Sequence, residues 1–242
     1  MHDLSKDLPQ DLGGWTVAFD LDGTLVDTAP DLIAALNVVL VEQGMAPASI
    51  ASVRLLVGHG IRGMLQRAYD LAGVAITPAE IEALMPRLLA IYTDRIALES
   101  RPFPGCLDAL AALRSRGAKL AVCTNKAIAL TRALLAELDL TDRFDALIGG
   151  DELPAKKPDP TMLLEVIRRA GGDPAKAVMV GDASPDVGAA KAAGVPCIVL
   201  TFGYNDAPAA ELGGDLLIDS YDALADAISS IAASCRPQPE SL

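Results

Sequence analysis

Two aspartates two residues apart, Asp20 and Asp22, stand where the apolar run from Trp15 to Phe19 gives way to a Gly23-Thr24 turn. An apolar run that ends at a glycine turn reads as a buried strand whose tip faces a cleft. Two carboxylates there are costly unless a metal or a reaction uses them. Their spacing suits divided work, with Asp20 as nucleophile and Asp22 as proton donor and acceptor. An EF-hand calcium loop does not fit, since it needs a leading helix, a glycine sixth and a glutamate twelfth. Here the glycine is fourth, Leu25 is sixth and a strand leads in. A plain surface turn that happens to hold two acids is the remaining alternative, and three further stretches weigh against it.

The first of these is Leu120-Ala121-Val122-Cys123-Thr124-Asn125-Lys126, an apolar strand ending in a hydroxyl and an amide. Thr124, Asn125 and the adjacent backbone N–H groups are suitable donors for a phosphoryl oxygen. The second is Lys156-Lys157-Pro158-Asp159-Pro160. A lysine held by the following prolines is a fixed positive charge, and Lys157, directly before Pro158, is the better placed of the pair. The third is Val178-Met179-Val180-Gly181-Asp182-Ala183-Ser184-Pro185-Asp186, with Asp182 at a strand tip and Asp186 four residues on. With Asp20, these two make a hard oxygen-donor set of the kind magnesium prefers. Asp186 also suits the first turn of a helix as a plain N-terminal charge.

The elements that must position these residues are legible as alternating strands and helices. Strand-like runs lie at Thr16–Phe19, Lys119–Cys123, Ala146–Ile148, Ala177–Val180 and Cys197–Leu200, with a weaker one at Leu216–Ile218. Helix-like segments fall between them at about 105–116, 127–138, 160–170, 184–193 and 221–233. Such alternation predicts right-handed crossovers and a parallel sheet covered on both faces, a Rossmann-like α/β fold. Ligands of such sheets sit beyond the carboxyl ends of the strands, which places Asp20, Thr124 and Asp182 around one crevice. Residues 28–99 break the pattern: Pro30 to Glu42, Gly60 to Ala72 and Pro78 to Leu98 read as helices. The expected organisation is a core of residues 1–27 and 100–242 with an α-helical cap inserted at 28–99, its return marked by Arg101-Pro102-Phe103-Pro104-Gly105. Such a cap commonly closes over a site to exclude water.

The 242 residues carry a formal net charge of -12, which argues against nucleic acid or an anionic membrane as partner. A small anionic ester is not forbidden, because salt screens distant charges beyond about 10 Å. The four cysteines, Cys106, Cys123, Cys197 and Cys235, form no Cys-x-x-Cys pair, which disfavours zinc or thiol-redox chemistry. Met1 to Gly14 hold no apolar segment of signal-peptide length, and no apolar run reaches membrane-span length. The expectation is a cytoplasmic enzyme, monomeric or a homodimer, with a polar tail from Cys235 to Leu242.

In this order and on these strand ends, the four pieces resemble the haloacid dehalogenase superfamily of phosphotransferases. The resemblance implies a magnesium-dependent phosphatase in which Asp20 forms an aspartyl-phosphate and Asp22 is the general acid and base. It further implies that Thr124 binds the phosphoryl group, Lys157 stabilises it, Asp182 ligates Mg2+ and Asp186 supports the metal. The backbone carbonyl of Asp22 is implied as one more ligand. A dehalogenase would need neither Asp22 nor magnesium, and a non-catalytic regulator on this scaffold would be expected to lack Asp20, Asp22 or Lys157. A phosphomutase stays open.

A narrower likeness is carried by Asp27-Thr28-Ala29-Pro30-Asp31-Leu32, Val57-Gly58-His59-Gly60, Thr124-Asn125-Lys126 and Phe202-Gly203-Tyr204. These stretches are similar to bacterial phosphatases of small carboxylated esters such as 2-phosphoglycolate, although phosphatases of sugar phosphates, pyrophosphate and nucleotides share similar stretches. A positive group in the cap would then pair with the carboxylate. The candidates are Arg54, His59, Arg62 and Arg67. His59, set between glycines, is favoured for substrate binding, and Arg62 and Arg67 read as solvated helix-face charges.

Overall fold

The computed structural model describes residues 11–49 and 60–234. Its centre is a six-stranded parallel sheet built from β1 (Thr16–Phe19), β4 (Lys119–Cys123), β5 (Ala146–Ile148), β6 (Ala177–Gly181), β7 (Cys197–Leu200) and β8 (Leu216–Ile218). The strand order is β5-β4-β1-β6-β7-β8. Successive strands move outward on one side of β1 and then, from β6, on the other, so the chain reverses beside β1. In parallel sheets that reversal opens a crevice at the strands' carboxyl ends. Phe19 is in register with Val122 on one side and Val180 on the other. Asp20 is therefore level with Cys123 and Gly181, and Thr124 and Asp182 lie one residue beyond it.

These runs form buried strands because both their faces are apolar. Val17, Phe19, Leu120, Val122, Val178 and Val180 enter one core cluster. The alternating Ala18, Ala121, Cys123, Ala177 and Met179 enter the other. Helices α4 (Cys106–Ser115) and α9 (Leu224–Ser234) contribute Leu110, Leu113, Leu224 and Ile228 to the first cluster. Helices α6 (Thr161–Arg169) and α7 (Ser184–Ala193) contribute Met162, Val166, Val187 and Ala190 to the second. A sheet covered on both faces reads as continuous apolar runs, which is why the sequence signal is strong here.

Between residues 28 and 99 lie α1 (Ala29–Glu42), α2 (Gly60–Leu71) and α3 (Pro78–Asp94), and no strand occurs among the described residues. Thr77 starts α3 through a capping box, its side chain accepting from the Glu80 N–H while Glu80 accepts from the Thr77 N–H. The helix ends at Asp94, four residues before the Leu98 limit expected from sequence. The apolar faces of the three helices meet at Leu36, Val39, Met64, Leu65, Ile81 and Leu88.

The chain's departure and return are paired, which periodicity does not reveal. Short strand β2 (Val26–Asp27) runs antiparallel to β3 (Arg101–Pro102), with Asp27 opposite Arg101. Asp31, fully buried in the first turn of α1, accepts from Glu99 N, Ser100 N and Ser100 Oγ at 2.9, 2.8 and 2.7 Å. Asp31→Ala would leave the buried Ser100 N–H and hydroxyl without this partner. It is expected to destabilise the protein by about 3 kcal/mol in chemical denaturation.

Candidate active site

Asp20, directly after β1, is buried at the floor of the crevice. Lys157 reaches it from the loop before α6, with Nζ 2.8 Å from Asp20 Oδ1. The same ammonium donates to the Cys123 carbonyl and to Asp186 Oδ1, each at 2.7 Å. Asn125 fixes the lysine's backbone reciprocally: Nδ2 donates to the Lys157 carbonyl and Oδ1 accepts its N–H, both at 3.0 Å. Asn125 thus lines the cleft while its amide holds the neighbouring loop.

Asp186 works in two directions. One carboxylate oxygen meets Lys157, and the other accepts from the N–H groups of Asp182 and Ala183 at the start of α7. Gly181 lets this happen, because a Cβ there would lie 2.4 Å from Asp186 Cβ and Cγ. Asp182 accepts from Thr24 Oγ1 at 2.5 Å and from Tyr204 N at 2.6 Å. Thr124 is buried, and its hydroxyl accepts from Lys126 N at 3.2 Å.

Carboxylate oxygens of Asp20, Asp182 and Asp186 lie within 4.8 Å of one another. Asp20 Oδ1 is buried with no well-aligned hydrogen-bond donor, despite its closeness to Lys157. Burial pushes the Asp20 carboxyl up to about 6, against the pull of Lys157. Burial, then Asp186 and Asp20, raise Asp182 well above the carboxylate range. Burial works to lower Lys157, but Asp186 and Asp20 outweigh it and hold its ammonium charged. These are the marks of a site short of positive charge, and a hard divalent cation such as Mg2+ fits its oxygen donors. The carboxylate of Asp22 is not part of this cluster, so a contribution from Asp22 to a metal would come through its main-chain oxygen.

The Asp22 carboxylate instead accepts from Thr28 Oγ1 at 2.7 Å and from Lys126 Nζ at 3.0 and 3.2 Å. Lys126 Nζ also lies 2.7 Å from the hydroxyl of Tyr92, on α3. Burial acts to lower Lys126, and Asp22 and Tyr92 more than offset it. Lys126, Thr24 and Thr28 stand in the sequence stretches quoted above without a role, and Tyr92 stands in none of them. Lys126 follows Thr124 at a strand tip, which was a usable signal; Tyr92 had none, since only packing brings α3 here.

A cavity of about 410 Å³ opens over these groups, in the range of small-molecule sites. Leu32 of α1, Met64 of α2, and Met85 and Leu89 of α3 form apolar walls of it. Arg62 also lines it but is exposed and ion-paired with Glu82, and Arg67 is exposed. Arg54, His59 and the segment from Cys235 to Leu242 lie outside the described residues. No helix among the described residues is long and apolar enough to cross a membrane.

Residues 17–200 match the haloacid dehalogenase-like hydrolases, and the chain belongs to that family. Its relatives include the phosphoglycolate phosphatase of Caulobacter vibrioides, 45% identical over 229 residues, which are 95% of this chain and 96% of the relative. That of Agrobacterium fabrum is 44% identical over 210 residues, 87% of this chain and 90% of the relative. A crystal structure described as a predicted phosphoglycolate phosphatase from Haemophilus somnus is 30% identical. It superposes with a TM-score of 0.82 over 89% of this chain and 98% of that one.

Proposed function

We propose that this enzyme is a magnesium-dependent phosphatase that hydrolyses 2-phosphoglycolate to glycolate and phosphate through an aspartyl-phosphate on Asp20. The observation that carries the reading is the buried Asp20–Lys157 contact at 2.8 Å, with Asp182 and Asp186 beside it and Asp22 lining the same cleft. The names of the bacterial relatives support the choice of ester.

A carboxylate oxygen of Asp20 attacks phosphorus, and the bond from phosphorus to the glycolate oxygen breaks. Asp22 gives its proton to the departing alkoxide. It then takes a proton from water, whose oxygen attacks phosphorus as the Asp20–phosphorus bond breaks, releasing inorganic phosphate and restoring Asp20. Thr124 and neighbouring N–H groups orient the phosphoryl oxygens, and Lys157 offsets their charge. Bound Mg2+, held by Asp20, Asp182 and the Asp22 main-chain oxygen with Asp186 in support, supplies positive charge against the developing charge on phosphorus. Residues 28–99 act as a cap on the core of 1–27 and 100–242, its apolar side chains excluding water from the reacting centre. A cytoplasmic setting goes with the buried free thiols of Cys106, Cys123 and Cys197.

A phosphate-release screen over small esters tests the reading, and equal rates across them would remove the glycolate assignment. Metal binding has its own readout. Millimolar Mg2+ added to chelator-treated protein is expected to raise the melting temperature by about 5 °C, and Asp182→Asn to abolish the shift.

A further inference from the structure

We infer that Lys126 reads the leaving group, its ammonium binding a carboxylate carried by the alcohol part of the ester. The inference rests on the phosphatase reading above and deepens it. The leaving oxygen must come within hydrogen-bond reach of Asp22 to receive a proton, and Lys126 Nζ lies 3.0 Å from Asp22 Oδ1. In a phosphorylated 2-hydroxy acid the carboxyl carbon is only two bonds from that oxygen. Phosphate at Asp20 and Thr124 therefore brings the carboxylate to the Lys126 side of the cavity.

Charge balance singles out this residue. An ammonium has three N–H groups. Those of Lys157 face the Cys123 carbonyl, Asp186 and Asp20. Those of Lys126 face both carboxylate oxygens of Asp22 and the Tyr92 hydroxyl, so Lys126 answers one carboxylate where Lys157 answers two, and its charge is the less compensated. Its side chain is only 5% exposed, so solvent screens the contact little. Arg62 and Lys156 also line the cavity, but both are exposed, and Arg62 is held by Glu82. The walls nearby are apolar, so a polyol leaving group would bury hydroxyls without partners, whereas a short carboxylated one needs only the cation.

The test compares 2-phosphoglycolate with 2-hydroxyethyl phosphate, which replaces the carboxylate by an uncharged CH2OH. Wild-type enzyme should prefer the first. Lys126→Met should lower kcat/KM for 2-phosphoglycolate by about 30-fold, chiefly through KM, with a loss on 2-hydroxyethyl phosphate at least tenfold smaller. Lys126→Arg should keep most of the preference. If Lys126→Met does not fold, Lys126→Gln carries the same comparison. Equal losses on both esters would mean that Lys126 acts only by holding Asp22, and would overturn the inference. A preference that survives in the folded variant also overturns it, while leaving the substrate assignment standing. Wild-type enzyme without the preference overturns that assignment and the role of Lys126 together.

Discussion

Asp20→Asn is expected to lower phosphate release from small esters by at least about 10³-fold while leaving the protein folded. The side chain keeps its shape, but an amide oxygen cannot form and then release an acyl phosphate as a carboxylate does. Little stability should be lost. Lys157 keeps Asp186 and the Cys123 carbonyl as partners, and burial already pushes the Asp20 carboxyl toward its neutral form. A change within about 1 kcal/mol in chemical denaturation is the expected companion result. Rapid quenching of the wild-type enzyme during turnover should place labelled phosphate on Asp20. Turnover retained in the variant would remove the covalent mechanism.

Lys157→Met is expected to damage both activity and stability. Methionine fills similar volume, but Asp20 and Asp186 then face each other without the charge that now lies 2.8 and 2.7 Å away. Removing one member of a buried charge network leaves its partners uncompensated, at about 3 kcal/mol. The loss in kcat should reach about 10²-fold or more, since a fixed positive charge at the phosphoryl group is lost. Denaturation curves and phosphate-release rates measure the two effects on one sample. Mg2+ should restore part of the stability, because it brings positive charge to the same carboxylates, and little of the rate. A fully active, undiminished variant would mean that the lysine only fills space.

The contrast between these two variants marks how far the linear chain could be read. The six strands of the main sheet stand within one residue of where the apolar runs place them, because burial on both faces demands a continuous signal. Topology alone brings strand tips to one crevice, and there Asp20 and Thr124 line the cavity with Asp182 beside Asp20. The short β2–β3 pairing leaves no mark in the sequence, because two residues are too few for any period to show. Asn125 lines the cavity, and its amide is bonded as well to the Lys157 backbone across 32 residues of sequence, a contact that no local pattern shows.

Residue types and local spacing were thus enough for the strands of the sheet, for the three helices α1 to α3, and for the acids and the lysine that stand at the sheet's edge. Folding alone decided which charge faces which. It set Lys157 between Asp20 and Asp186, turned the Asp22 carboxylate away from the other acids, and brought Tyr92 of α3 onto Lys126. The physical reason is range. Strand and helix patterns arise from neighbours along the chain, whereas the strength of a buried ion pair depends on distances and solvent exclusion that no local pattern encodes.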